Sequence, residues 1–476
     1  MNHEVVVVGG GIGGLTAAAL LAARGVDVCL FERQSRVGGC VANFEHLGYT
    51  FEPTAGLYSG WGPAGIYEKI FSELLVRPPE VRRLSPAYIV RLPDGAEVVV
   101  CENTKQFESE IALAFPECSQ AAVGFYRKLA QFARDESNPR APNNFNSVGE
   151  IVATHLADCS FRFQRFIDVQ LQTSTQSISD QCSFLSAAFA LTAPHRGMWA
   201  IRGGAQALAD ALAESLKESG GMLRLNSTVL RLAYGADGLP IGVDLLSGER
   251  VIATRGIISN LTIWDTYGRL IGLSPTPASI SARLKQLRSW GAYLLFLGMD
   301  QAAASRLSSN RVLALTDWQQ ATTYDPEHAQ LMFAAAPQWD ARAPEGKLAV
   351  TVSTFTKAED WFAFHQDEAA HEEQDQSTLE SLWSRLHAAM PELGDSIEVI
   401  ETATPQTFYE TTRRKLGMVG GLCNSHEELD QKDQFGTTIF PNVFLVGDTV
   451  CTVTGIAGVS RSAVVLANAI APRVSR

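Results

Sequence analysis

Several chemistries are excluded by what this sequence lacks. Its eight cysteines show no CxxC and no paired spacing, so neither a zinc site nor a disulfide framework is indicated, and buried, inert thiols are expected. Lysine and arginine total 39 against 51 aspartates and glutamates, a net charge of −12, which argues against nucleic acid as a partner. No run of about 20 apolar residues is present, which excludes a spanning helix and leaves a peripheral contact with a membrane surface open. The apolar N-terminal segment lacks a basic leader and is accounted for as strand plus helix, so no signal peptide is read and a cytoplasmic location is expected. Against these absences stands an apolar fraction of 46% in 476 residues. That is too hydrophobic for global disorder and long enough for two domains with cores of their own.

The chain opens on Val5-Val6-Val7-Val8-Gly9-Gly10-Gly11-Ile12-Gly13-Gly14-Leu15, an apolar strand running into glycines at GxGxxG spacing. That spacing needs a tight turn at Gly9, close approach of backbone to a pyrophosphate at Gly11, and close helix–strand packing at Gly14. The phosphates then sit at the N-terminus of a helix beginning near Leu15, with Thr16 to Arg24 as its Ala/Leu-rich body. A second apolar run, Val26 to Phe31, ends on Glu32. A carboxylate there accepts from a ribose 2′,3′-diol and repels a 2′-phosphate, so NADP is disfavoured. Strand, glycines, helix, second strand and acid together point to a dinucleotide site rather than a Gly-rich structural turn.

The residues after Glu32 separate NAD from FAD. Arg33-Gln34-Ser35-Arg36-Val37-Gly38-Gly39-Cys40 supplies a second Gly pair, Gly38 and Gly39, that continues a phosphate cradle. This layout resembles the flavoprotein amine oxidase and phytoene desaturase superfamily, in which the acid is followed within a few residues by a Gly-Gly pair. Many members place an arginine after that pair to help hold the FAD phosphates. Here the position is Cys40, so the resemblance moves phosphate neutralisation to Arg36, with Arg33 beside it, or to the helix dipole.

Two later blocks extend the pattern. Met198-Trp199-Ala200-Ile201-Arg202-Gly203-Gly204 opens a helix with Leu208, Leu212 and Leu216 on one face, ending at Gly220-Gly221. Strand-like runs follow: Met222 to Leu225, Val229 to Ala233, Ile241 to Leu245, a Ser247-Gly248 turn, Val251 to Ala253, and Ile257-Ile258-Ser259-Asn260. An ordinary helix–strand–hairpin unit would explain the periodicity but not the order, which resembles that of the phytoene desaturase family; there the backbone at the position matching Val229 touches the adenine. The third block is Pro441-Asn442-Val443-Phe444-Leu445-Val446-Gly447-Asp448-Thr449, then Thr454-Gly455-Ile456-Ala457-Gly458-Val459 and an Ala/Val-rich helix. A buried strand ending in Gly-Asp sets Asp448 beside the flavin's ribityl and phosphate hydroxyls. A helix N-terminus near Gly458 and Val459 aims N–H groups at the pyrimidine edge and favours the anionic reduced flavin. This block resembles the terminal motif of carotenoid isomerases and phytoene desaturases. No flavin-linking cysteine motif is recognisable, so the FAD is expected to be non-covalent.

Thr404-Pro405-Gln406-Thr407-Phe408-Tyr409-Glu410-Thr411-Thr412-Arg413-Arg414-Lys415-Leu416-Gly417-Met418-Val419-Gly420-Gly421 resembles a segment of bacterial phytoene desaturase-like proteins whose Gly-rich turn lies by the isoalloxazine ring. Tyr49 to Glu52, with Ala55-Gly56-Leu57-Tyr58, matches the family's early strand and turn near the same ring. Glu410, Arg413 and Lys415 are candidates for proton handling, although the basic triplet reads equally well as a surface patch.

The expected architecture is an α/β fold: a Rossmann-type, GR2-like FAD-binding domain (1–79, 198–260 and 435–476) with a discontinuous mixed-sheet and helical substrate domain (80–197 and 261–434). The substrate insertions carry helical patterns at Glu108 to Ala114, Gln120 to Asp135 and Asp367 to Met390, and a Pro/Asn-rich break at Asn138 to Asn146. They also carry strand-like runs at Tyr293 to Leu297, Leu331 to Ala335 and Leu348 to Ser353. The apolar run Phe184 to Ala193 suits either a tunnel for a long hydrophobic substrate or plain core. His371-Glu372-Glu373 with Asp367, Glu368 and Asp375 reads as a solvated helix face rather than a metal site. Ser183, Ser186 and His195 lack a nucleophile-elbow context.

The resemblance implies an FAD-dependent oxidoreductase acting on a hydrophobic polyene or isoprenoid, desaturase-like, with hydride transfer between an allylic carbon and flavin N5. A redox-neutral carotenoid isomerase or a polyene saturase is the alternative. Only one dinucleotide fingerprint is present, so electrons must come from or go to an external partner such as a quinone or oxygen. An amine oxidase would usually carry a lysine on a substrate-domain strand, and Ser289-Trp290-Gly291-Ala292-Tyr293-Leu294 has none. A non-catalytic flavin-binding protein is the remaining rival.

Overall fold

The computed structural model describes residues 1–135, 151–320, 323–362, 367–423, 438–451 and 455–472. The Asn138 to Asn146 break and Thr454 lie outside the described residues. Two seven-stranded sheets organise the chain. In the first the strands run in the order Val229–Tyr234, Pro240–Leu245, Arg250–Ser259, Asn2–Val8, Val28–Phe31 and Met222–Arg224, with Val443–Leu445 added beside the end of Arg250–Ser259. Asn2–Val8 is parallel to both its neighbours. Val5 to Val8 are almost fully buried, as a continuous apolar run in a parallel sheet covered on both faces must be. Helices Ile12–Ala23, Gly204–Glu218 and Gly455–Ile470 cover one face, where Leu208, Leu212 and Leu216 are buried. Ile263, Trp264, Tyr267 and Leu270 cover the other.

Three local features depart from the sequence reading. The first helix begins at Ile12, with Gly11 as its N-cap, so Gly13 and Gly14 lie inside it. A Cβ on Gly14 would stand 2.3 Å from the Gly9 carbonyl oxygen, and this close packing outweighs the poor helix propensity of glycine. Val251 to Ala253 and Ile257 to Ser259 belong to one strand, Arg250–Ser259. Its register with Asn2–Val8 shifts between His3 and Val5, and that irregularity lets the pairing continue past the exposed Thr254-Arg255. The last helix starts at Gly455, so Gly458 and Val459 sit within its first turns rather than at its very end.

The second sheet is mixed, in the order Ile397–Ala403, Gly291–Asp300, Lys347–Thr356, Gln330–Ala335, Arg311–Leu315, Tyr88–Arg91 and Glu97–Val100. Arg311–Leu315 runs parallel to Tyr88–Arg91, and the other pairs are antiparallel. The charged helix Glu368–Ala389 packs on one face through Leu382 and Leu386, which join Tyr293 and Trp361 in a core. His371 lies against the Trp361 ring, and Asp375 accepts from the Tyr293 hydroxyl at 2.6 Å, so these residues serve the packing of that helix. On the opposite face lies the hairpin Phe44–His46 with Tyr49–Phe51, whose Phe51 ring stands 5.0 Å from that of Phe296. Helices Thr104–Ala114, Ser119–Asp135, Phe161–Thr175 and Phe184–Arg196 form a further core on the Tyr88–Val100 side. Phe184, Ala187, Ala188 and Leu191 are buried there, while Leu185, Phe189, Ala190 and Ala193 are half-buried, so one face of this apolar run is core. Among the described residues no helix is long and apolar enough to cross a membrane.

The packing at Gly14 reverses the usual sign of a glycine-to-alanine change in a helix. Gly14→Ala should cost about 1–3 kcal/mol through overpacking. Gly124→Ala, in helix Ser119–Asp135 with nothing among the described residues near the added methyl, should stabilise by about 0.5–1 kcal/mol. Urea unfolding of the two variants checks both, and equal behaviour would remove the argument.

Candidate cofactor site

Three segments far apart in sequence meet at the glycine loop. Gly9 holds φ +101 and, at the second Gly pair, Gly38 and Gly39 hold +119 and +61, conformations that side-chain-bearing residues rarely adopt. Gly38 N–H donates to the Gly10 carbonyl at 2.9 Å, which seats the second pair on the first. A Cβ on Gly11 would lie 2.6 Å from Asn260 Nδ2, and one on Gly13 would meet Asn260 Oδ1 at 2.7 Å, Val459 at 3.1 Å and the Gly447 nitrogen at 3.3 Å. The loop, the end of strand Arg250–Ser259, the Gly447-Asp448 turn and the last helix therefore share one point. Among the described residues no side chain caps the helix that starts at Ile12, so its first N–H groups are presented to an anion. Glu32 ends the second strand and accepts from Gly10 N–H at 2.7 Å and Gln34 N–H at 2.8 Å. The side-chain-free cradle, the uncapped helix start and the acid fit a dinucleotide.

The second block is built differently. Gly203 N–H donates to Asp340 at 3.0 Å and Ala205 N–H to Glu52 at 2.9 Å, so this helix start is filled by the protein's own carboxylates. Arg342 joins them, reaching Glu52 at 3.0 Å and Asp340 through Nε at 2.6 Å. Burial works against that guanidinium, and Glu52 and Asp340 more than offset it, holding it above the usual arginine range. Beside them Arg311 is buried, with Nε lacking a partner among the described residues, and burial pulls it down to about 10. A Cβ at Gly56, φ +60, would meet Arg311 Nη2 at 2.5 Å, so the Ala55-Gly56 turn rests on this arginine.

The individual candidates fall as follows. Val229 opens its strand half-buried and pairs with Leu245. Arg33 donates to the Thr411 carbonyl at 2.6 Å and the Glu410 carbonyl at 3.3 Å, capping the end of helix Pro405–Thr412. Arg36 is exposed and donates to the Asn43 carbonyl. Glu410 is exposed and accepts from Gln406 at 3.1 Å, Arg413 lies over the Tyr409 ring, and Lys415 stands 4.7 Å from the Trp264 ring. Burial pushes the Lys415 ammonium below its usual range. These three do not converge on one point. The residue of that run that enters the site is Arg414, whose Nη2 stands 3.0 Å from Asp448 Oδ2. Asn260 and Arg414 were missed as site residues. Asn260 carries a signal, the Asn that closes its strand; Arg414 carries none that separates it from its two basic neighbours. His195 bonds the Cys101 carbonyl and Ser183 caps its own helix, so no hydrolase triad forms from them.

A family model described as flavin containing amine oxidoreductase matches residues 12–471, and the chain belongs to that family. The chloroplastic prolycopene isomerase of Daucus carota is 23% identical over 511 residues, covering 99% of this chain and 80% of the relative. All-trans-retinol 13,14-reductase of Danio rerio is 24% identical over 534 residues, covering 96% and 84%. Among solved structures, an oxidoreductase from Methanosarcina mazei superposes with a TM-score of 0.68 at 17% identity, covering 98% of this chain and 99% of the other. Cyclohexylamine oxidase from Brevibacterium oxydans gives 0.61 at 17% identity, covering 99% of each. The chain is thus an FAD-dependent enzyme of the oxidoreductase and isomerase superfamily, with the α/β fold expected from its motifs.

Glu32→Ala should leave the fold intact and weaken FAD by about 1.5–3 kcal/mol, the loss of charge-assisted hydrogen bonds. Titration of the deflavinated variant checks this; unchanged affinity would remove Glu32 from the cradle.

Proposed function

We propose that this enzyme carries out desaturase-like redox chemistry on a long hydrophobic polyene or isoprenoid, using non-covalent FAD. The observation that carries the reading is that the relatives aligned along 99% and 96% of the chain are named for prolycopene and all-trans-retinol. Gly9, Gly11, Gly14, Glu32, Gly38, Gly39, Val229, Asp448, Gly458 and Val459 would hold the cofactor in the domain of 1–79, 198–260 and 435–476. The regions 80–197 and 261–434 would receive the substrate. Bound FAD supplies a two-electron acceptor or donor for a hydride. The chain's own contribution is positioning. Gln176 donates to the Val419 carbonyl at 2.7 Å and accepts from Trp290 N–H at 3.4 Å, pinning the Gly420-Gly421 turn against strand Gly291–Asp300. The absence of lysine from that strand weighs against amine oxidation.

A second reading, redox-neutral isomerisation or saturation, is favoured by the words isomerase and reductase in the names of those relatives. Electron balance separates the three reactions in anaerobic mixing with candidate polyenes. Desaturation bleaches oxidised flavin, because each new double bond releases two electrons to it. Isomerisation proceeds only after dithionite reduction and leaves the flavin reduced. Saturation reoxidises reduced flavin in proportion to product. Bleaching is the outcome expected from the first reading, and turnover confined to reduced enzyme overturns it.

A polyene dissolves in lipid, so reversible association with a membrane surface is also proposed, together with an external electron partner such as a quinone or oxygen. Flotation with anionic and neutral liposomes should recover a salt- or lipid-dependent bound fraction. No binding to any composition would overturn the membrane part of the proposal.

A further inference from the structure

The run Arg413-Arg414-Lys415 is uniform in charge but not in direction. Helix Pro405–Thr412 ends in a capping residue, Arg413, at φ 56; Leu416 holds φ 50 and Gly417 φ 61. Left-handed conformations of this kind are unfavourable for residues with side chains, and their clustering marks backbone held in place by its surroundings. A Cβ at Gly417 would come within 1.7 Å of the Pro405 carbonyl oxygen, so the chain doubles back on the start of its own helix. Arg414, between these residues, is turned inward. Its Nε donates to the Met418 carbonyl at 3.0 Å and Nη2 to the Gly420 carbonyl at 2.6 Å, and Nη1 and Nη2 reach the two Asp448 oxygens at 3.3 and 3.0 Å. The Gly39–Val41 turn, which carries Cys40, packs against helix Pro405–Thr412, and the Cys40 thiol feels the charge of this guanidinium. Arg414 therefore pairs with the acid that follows Gly447, on the side of the cradle where the residue after Gly38-Gly39 stands.

We propose that Arg414 is the cation of the cofactor cradle, supplied from the 404–421 segment to the place where position 40 holds a neutral thiol. The proposal rests on the FAD reading of the cradle. Its physical basis is charge. A bare Asp448 carboxylate would repel an incoming diphosphate, whereas a forked pair with Arg414 neutralises and orients it. Arg33 and Arg36 reach carbonyls elsewhere and Arg413 and Lys415 lie against aromatic rings, so of these cations it is Arg414 that meets Asp448. Arg414 acts as a positioning residue, and it ties the 404–421 segment to the Gly447-Asp448 turn.

The test uses the deflavinated full-length protein, titrated with FAD and, separately, with riboflavin, which lacks the diphosphate. Arg414→Ala should raise the FAD Kd about tenfold or more and change riboflavin binding by less than about threefold. Arg414→Lys should fall between. Adding Cys40→Arg to Arg414→Ala should bring FAD affinity back to within about threefold of wild type, because the new guanidinium occupies the same seat beside Asp448. Circular dichroism and melting identify variants that fail to fold, in which case Arg414→Lys and the double variant decide. An FAD affinity within twofold of wild type in Arg414→Ala overturns the proposal. So does an equal loss for FAD and riboflavin, or a folded double variant without rescue. Wild-type protein that takes up no FAD overturns the cofactor reading itself, an outcome distinct from these.

Discussion

Close approach of neighbouring segments to the backbone at Gly11, Gly13 and Gly14 is the constraint on which the site depends. Asn260, Gly447 and Val459 occupy the space that Cβ atoms at the first two of these positions would fill, and Gly14 packs on the Gly9 carbonyl. The absence of side chains at one turn lets the N-terminal loop, the middle of the chain and its last helix pack as one surface. The same vacancy leaves the N–H groups at the start of helix Ile12–Ala23 without a side-chain cap. Packing and anion binding are thus two consequences of one steric fact.

A second constraint links the two sheets. Arg342 binds Glu52, from the end of the Tyr49–Phe51 strand, and Asp340, and both carboxylates also cap the helix Gly204–Glu218. A buried ionic group of this kind adds little net stability relative to apolar packing, yet losing one partner strands the others. Its contribution is register. It sets the hairpin, the second block's helix and the Arg342 loop in one arrangement, and the buried Arg311 beside Gly56 extends that polar layer. The Gly-Gly pair at 203–204 accordingly serves this junction, while the pair at 38–39 serves the cradle.

Fold and chemistry separate cleanly in this family. Cyclohexylamine oxidase shares the architecture along the whole chain, and relatives aligned along almost all of it bear isomerase and reductase names. A shared fold carries the cofactor, and the residues facing it decide the reaction. In this chain the strand Gly291–Asp300 is apolar and without lysine, and a glycine turn at 420–421 is held by Gln176 and Arg414.

The sequence by itself determined the glycine loop, the acid at Glu32 and many of the strand and helix runs in chain order, because each rests on local periodicity or on glycine spacing that a short window contains; the order of strands within each sheet joins distant segments and came from the fold. Helix ends were less well specified. The first helix starts at Ile12 because contacts from Asn260 and Gly9 hold two glycines in it, and those contacts come from elsewhere in the chain. The apolar run Phe184 to Ala193 has the same composition whether it lines a tunnel or packs as core, and packing against the neighbouring helices placed Phe184, Ala187, Ala188 and Leu191 inside. Tertiary structure alone decided which member of Arg413-Arg414-Lys415 turns toward Asp448. All three carry the same charge, and the choice follows from left-handed backbone at Arg413 and Leu416 and the reversal at Gly417. The Gly417 reversal packs on the Pro405 carbonyl and the Arg414 side chain meets Asp448, contacts that no short window of sequence contains.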